Sequence, residues 1–234
     1  MKVDIWSDIR CPFCYVGKRK FEAALAQFPR GEDIEVTWHS FQLDPDLKTD
    51  SEINSVDYFQ KSKGVSETEA MRMFEHVSAA GKEVGIDFNF KEQKVANSFR
   101  AHLLLQLAAE RNVTNEAEEA LFKAQLVEGK NIDDEVTLIE IGKSVSLTEE
   151  EVRSALNSDD YKFAVSQDMM LARQMGISGV PFFVFNDKYG VSGAQPTTVF
   201  TEVLEKSWEE FSAGDQGLKI IHGGESCDVE GNCE

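Results

Sequence analysis

Two cysteines stand two residues apart in Cys11-Pro12-Phe13-Cys14, and a second pair, Cys227 and Cys233, lies near the end of the 234-residue chain. A C-x-x-C placed just after a strand and opening a helix has the spacing that a dithiol catalyst needs. At a helix N-terminus the unpaired backbone amides and the helix dipole stabilise negative charge, which favours the reactive thiolate at Cys11. Pro12 suits the first helical position, and Cys14, one turn further in, is placed to attack a mixed disulfide formed at Cys11. The expected chemistry is thiol-disulfide exchange, with Cys11 as nucleophile and Cys14 as resolving thiol.

Two other readings of the cysteines stay open. Both could be small buried hydrophobes, and Cys11, Cys14, Cys227 and Cys233 could together offer four thiolates to zinc, although the step from Cys227 to Cys233 is long for a structural site. No metal is expected. The terminal pair, in Ser226-Cys227-Asp228-Val229-Glu230-Gly231-Asn232-Cys233-Glu234, is either a second redox pair that relays electrons to Cys11-Cys14 or a passive one. Its acidic neighbours work against thiolate formation.

The elements that must position these thiols follow from periodicity. Lys2-Val3-Asp4-Ile5-Trp6 alternates as a strand, residues 14 to 28 carry the apolar stripe of a helix, and Ile34 to Leu43 alternates again. The alternation of this second strand is read as turning His39 away from the core. From 53 to 175 the period is helical, with helices expected near 55–63, 66–84, 95–111, 114–128, 133–143, 148–156 and 159–175. Ser66-Glu67-Thr68-Glu69 has the form of a capping box and Gly176 of a helix stop. Strands return at Pro181 to Phe185 and Tyr189 to Gly193, and Pro196 to Phe211 reads as a last helix. The expected fold is α/β: a first sheet segment over 1–52, a helical insertion over 53–175, a second sheet segment over 176–213 and a flexible tail over 214–234.

A second chemical feature is Ser178-Gly179-Val180-Pro181. Proline cannot donate to a sheet ladder, so a proline immediately before an apolar strand points to a bend with a purpose, and a cis Val180-Pro181 bond is the expectation. Packed against Cys11-Cys14, such a loop would leave the Val180 backbone free to pair with an extended substrate. His39 and His102 are read as structural, the helical Glu residues as solvated, and Met169, Met170 and Met175 as core packing.

Composition narrows the partners. The balance of 24 Lys+Arg against 42 Asp+Glu gives a formal charge of -18, which repels phosphate backbones and anionic membrane surfaces, so neither nucleic acid nor membrane is an expected partner. The opening residues interleave charges with apolar side chains and lack the continuous apolar run of a secretory signal or anchor, which makes a cytoplasmic location the expectation.

Asp8-Ile9-Arg10-Cys11-Pro12-Phe13-Cys14-Tyr15-Val16-Gly17, Gly179-Val180-Pro181-Phe182-Phe183 and Ser192-Gly193-Ala194-Gln195 together resemble the DsbA-like thioredoxin superfamily, in particular its cytoplasmic FrnE-type branch. The resemblance covers residues 1 to 212. It implies a thioredoxin-like fold split by a helical domain, catalytic roles for Cys11 and Cys14, and substrate binding around Pro12, Phe13, Val180 and Pro181. Asn97-Ser98 and Ala101-His102 are similar to a family segment that approaches the active site, which makes Asn97 a candidate substrate contact and equally a helix-cap residue. The implied partners are protein or peptide thiols and disulfides, with no resident cofactor and with glutathione as a candidate thiol co-substrate. The same superfamily contains glutathione transferases and small-molecule isomerases with serine where Cys11 stands. A glutathione-dependent transferase or isomerase is therefore the alternative enzyme, and a metal-holding module the alternative without catalysis.

Overall fold

The structure, a computed structural model, describes residues 1–214. In chain order its elements are β1 (Lys2–Ser7), α1 (Pro12–Gln27), β2 (Glu35–Ser40), β3 (Asp50–Asn54), α2 (Ser55–Lys63), α3 (Glu67–Glu83), β4 (Lys94–Val95), α4 (Phe99–Glu110), α5 (Thr114–Leu126), α6 (Glu135–Ser144), α7 (Glu149–Asn157), α8 (Asp159–Gln174), β5 (Phe182–Phe185), β6 (Tyr189–Ser192) and α9 (Thr197–Ser212). The main sheet runs β2-β1-β5-β6, with β1 parallel to β2 and antiparallel to β5. β5 and β6 form a hairpin whose two central turn residues, Asn186 and Asp187, take positive φ, the geometry that matches the twist of paired strands.

Side chains alternate across a strand, so β1 divides the interior in two. Val3 and Ile5 face α1 and α9, where Phe21 lies 5.5 Å from Phe183 and 5.8 Å from Phe200 between ring centroids. Trp6 and Val184 point to the opposite face and meet Ala172 of α8 and Ile177 just beyond it. A third and larger core fills the helical block around Leu104, Leu121, Phe122 and Val152, and it also takes in Cys14, Tyr15 and Val16 from α1. Tyr15 stacks on Phe122 at 5.0 Å, so the helix that carries the cysteines is gripped by sheet on one side and by helices on the other.

The seam between α8 and the sheet is polar. His39 donates from Nδ1 to Asp168 at 2.8 Å and from Nε2 to Asp4 at 2.9 Å, and its ring stacks on Trp6 at 4.4 Å. Asp168 also accepts from the Ser40 amide and from Gln106, while its backbone carbonyl accepts from the Trp6 indole. Burial opposes charge on the imidazole, yet the hydrogen bonds to the two carboxylates prevail and raise His39 from its ordinary 6.5 to about 9. His39 thus faces inward, against the expectation from strand alternation, because two carboxylates there satisfy it.

Several further differences have physical reasons. α4 begins at Phe99 rather than near 95, because Lys94–Val95 pair with β3 in a two-stranded sheet too short to show alternation. Glu118 of α5 and Lys18 of α1 are 1% exposed, where the helical Glu residues were expected to be solvated. Met170 and Met175 are 44% exposed rather than packed. The Ser66–Glu69 capping box is present, and Gly176 follows α8 with φ of 72°.

Two expectations follow. His39 contributes fully below pH 6.5, where it would be protonated in the unfolded chain as well, and the contribution is lost as pH rises through 9. In urea titrations, wild type should exceed His39→Gln by on the order of 3 kcal/mol near pH 6, and the gap should close by pH 10; a gap independent of pH would contradict the charge assignment. The second concerns Gly17, where an added Cβ would lie 2.9 Å from Pro181 Cγ and 3.4 Å from Phe183 Cζ. Gly17→Ala should cost about 1–3 kcal/mol in the same assay, because neither a proline ring nor a core phenylalanine can step aside freely.

Candidate active site

Cys11 is the N-cap of α1, in extended backbone conformation, and Pro12 occupies the first helical position, where a missing N–H costs no helix hydrogen bond. The Cys11 amide donates to the Asp8 carbonyl at 2.9 Å and the Cys14 amide to the Cys11 carbonyl at 3.0 Å, so the turn that presents the dithiol is closed by its own backbone. Both cysteines are free thiols. Cys11 is 6% exposed and Cys14 1%, which leaves only the first within reach of a partner at the surface. Burial, and then the neighbouring Cys11 thiol, push Cys14 well above the ordinary thiol value of 9.0. Cys14 therefore stays protonated near neutrality and does not compete as the attacking sulfur.

The loop before β5 closes over the dithiol. The Val180-Pro181 peptide bond is cis, and the Cys11 thiol donates to the Val180 carbonyl with Sγ at 3.6 Å. Among the described residues no hydrogen-bond partner meets the Val180 N–H. The Pro181 carbonyl accepts from Gly193 at 2.8 Å, where φ of 79° suits glycine, and this bond anchors the loop to the end of β6. Beside the loop, Phe41, Met169, Arg173, Ile177 and Ser178 line a cavity of about 400 Å³. The structure thus brings Cys11, Cys14, Val180 and Pro181 together, with Phe13 half-buried against the helical core.

Asn97 has a different setting. Its carboxamide oxygen accepts from Gln42 and from the Phe99 amide, and its nitrogen donates to the carbonyls of Pro45 and Leu47. Every hydrogen-bonding position of the side chain is engaged within the chain, the pattern of a residue that starts α4 and clamps the loop after β2. Cys227 and Cys233 lie outside the described residues, and so does any four-thiolate site built with them.

Three buried ionisable residues near the dithiol were given no chemical role by the sequence, although Asp8 and His102 lie within the segments that carry the family resemblance. Asp8, fully buried, accepts at one oxygen from the Arg10 amide and at the other from the Leu43 amide. Burial works against its charge, but His102 and those two amides hold its carboxyl below the ordinary range. His102 is also fully buried, and its Nε2 sits 3.8 Å from Asp8 Oδ1. Glu118 is pushed up to about 8, first by burial, with Lys18 opposing the rise. Asp8 carries no local signal beyond a turn position, and His102 sits in an apolar helical run that hides it.

The DSBA-like thioredoxin domain family matches residues 2–205. A probable DsbA oxidoreductase from Streptomyces coelicolor is 34% identical with a TM-score of 0.84, over 100% of this chain and 98% of that one. An uncharacterized protein of Bacillus subtilis (strain 168), YwbO, is 27% identical over 207 residues, 86% of this chain and 94% of YwbO. The cytosolic disulfide reductase DsbM from Pseudomonas aeruginosa, solved with GSH, shares the fold at 15% identity and a TM-score of 0.64, over 89% of this chain and all of DsbM. With a family match that runs from β1 into α9, across the dithiol and the Val180-Pro181 loop, the chain belongs to the DSBA-like thioredoxin domain family.

Proposed function

We propose that this protein is a thiol-disulfide oxidoreductase, able also to isomerise, that exchanges disulfides with protein substrates through Cys11 and Cys14. The observation that carries the reading is the asymmetry of the two thiols. Cys11 sits at the helix N-cap under the Val180 carbonyl, and Cys14 is buried and protonated one turn behind it. In the forward direction the Cys11 thiolate attacks a substrate disulfide, forming one S–S bond and releasing one substrate sulfur as thiolate. Cys14 then gives up its proton and attacks Cys11 Sγ, the second substrate sulfur leaves, and the enzyme holds a Cys11–Cys14 disulfide. Two electrons have moved to the substrate, and reversal of the same steps oxidises a substrate dithiol.

The Val180 N–H, without a hydrogen-bond partner among the described residues, offers an extended polypeptide a backbone contact beside the attacked sulfur, with Phe13 half-buried nearby and Pro12 and Pro181 assigned as further substrate contacts. Substrate contact at Asn97, whose carboxamide the chain already engages, would come through the loop it holds. Glutathione is the small thiol we assign as co-substrate, able to reopen the Cys11–Cys14 disulfide, in keeping with the GSH in the DsbM structure. The setting we propose is cytoplasmic. No helix among the described residues is long and apolar enough to cross a membrane.

Cys14→Ser should accumulate a covalent complex with a disulfide-bonded protein substrate, cleaved by dithiothreitol and visible on a non-reducing gel, while Cys11→Ser should give none. Turnover that requires glutathione and survives in Cys14→Ser would point instead to a transferase.

A further inference from the structure

β2 ends the main sheet on one side, and its outer edge faces no strand among the described residues. It pairs with β1 in unbroken register from Glu35 to Ser40. The amides of Glu35 and Phe41 donate inward, to the carbonyls of Met1 and Ser7. Successive N–H groups along a strand point to opposite edges, so Thr37 and His39 share the inward set while Val36, Trp38 and Ser40 turn outward. The Ser40 amide confirms the phase, since it leaves the sheet and donates to Asp168 of α8 at 2.9 Å. The N–H and C=O groups of Val36 and Trp38 have no hydrogen-bond partner among the described residues.

An open row of backbone groups is a template for another extended chain, and proteins normally blunt such an edge with a bulge, a proline, a covering element or a charge. Between Glu35 and Trp38 only the Glu35 carboxylate serves that purpose. Beside this stretch lies a cavity of about 590 Å³, bounded by α1, β2 and the start of α5. Its lining is amphipathic. Leu25, Val36 and Trp38 are partly exposed there, and its charged members are Glu22, Glu35 and Glu116, with no lysine or arginine among them. Glu22 is held by Lys18 and Arg19, whereas Glu35 and Glu116 have no ion-pair partner among the described residues.

Charge selects the occupant. A second copy of this chain, at a formal charge of -18, would set the same glutamates against these, and residues 215–234 carry five acidic side chains against one lysine. We propose that the outer edge of β2 is a docking surface for an extended basic segment of a partner polypeptide. The segment adds to the four-stranded sheet as a further strand, its backbone on Val36 and Trp38. Its lysine or arginine side chains meet Glu35 and Glu116, and apolar ones alternating with them cover Leu25 and Trp38. The open stretch pairs with Lys2 to Ile5, the end of β1 farther from Cys11, so the surface is separate from the dithiol and its loop. So short an edge suits a transient contact rather than a permanent complex.

The test is amide hydrogen exchange of the ¹⁵N-labelled full chain, read by NMR with and without a capped peptide in which lysine alternates with valine. A peptide alternating glutamate with valine is the control. The Val36 and Trp38 amides should exchange fast in the free protein and slow by on the order of tenfold with the lysine peptide, and the glutamate peptide should leave them unchanged. Added salt should weaken the affinity, and Glu35→Gln together with Glu116→Gln should weaken it by on the order of tenfold. Val36→Pro removes an outward N–H that no bond within the chain uses, at a position where an edge strand tolerates proline. It should keep the circular dichroism of wild type and lose affinity for the lysine peptide; should it not fold, the exchange readout on wild type decides alone.

Protection of Val36 and Trp38 in the free protein at every concentration would mean that the chain itself fills the edge, and protection that grows with protein concentration would mean that a second copy does. Either result overturns the inference. So does an equal response to both peptides, a response to neither, or protection of Val180 without Val36 and Trp38. The peptides carry no cysteine, so none of these results bears on the dithiol reading, and failure of Cys11 and Cys14 to pair would leave the docking surface standing.

Discussion

The site depends on how closely α1 can approach the loop that precedes β5. A helix N-terminus presents a thiol usefully only if something faces it, and here the facing surface is Val180-Pro181, 3.6 Å from Cys11 Sγ at the Val180 carbonyl. That approach is possible because position 17, one turn beyond Cys14, has no side chain to strike the proline ring. Antiparallel pairing of β1 with β5 sets the distance from below, since β1 leads into Asp8 and Cys11 while β5 begins just after Pro181. The sheet, the helix and the glycine together create a pocket of exposure for one sulfur and bury the other.

The helical block participates through two polar contacts of different kinds. At the seam with the sheet, Asp168 collects His39, Ser40 and Gln106, a set in which each charge has a partner and which holds α8 against β2. Behind the dithiol, His102 and Asp8 lie close without a hydrogen bond between them, in an interior where an unsatisfied polar group is expensive. The first arrangement reads as stability.

Much of this was legible in the sequence, for reasons that can be named. The C-x-x-C and its strand-to-helix context, the Val180-Pro181 turn and the run of helices between about 55 and 174 all rest on local patterns: spacing, periodicity and the backbone limits of proline. What stayed hidden depends on side chains brought together from distant segments. His39 sits in a strand whose alternation says outward, and only Asp4 together with Asp168, 129 residues away from His39, explains why it is held inward. Glu118 looks like any glutamate on an amphipathic helix until α1 covers it with Lys18. The short pair β3 and β4 is held by a few backbone contacts with no apolar alternation to announce them. His102 resembles a packing residue because its neighbours Leu103, Leu104 and Leu105 are.

The central claim is that Cys11 and Cys14 cycle between dithiol and disulfide as one unit. The most direct test is a glutathione redox titration of the full chain, with differential alkylation and mass spectrometry reporting each of the four cysteines separately. The account predicts a reversible two-electron transition in which Cys11 and Cys14 become protected together at one potential, whatever Cys227 and Cys233 do. A chain in which those two never pair, or in which Cys11 carries only glutathione while Cys14 stays free, would contradict it.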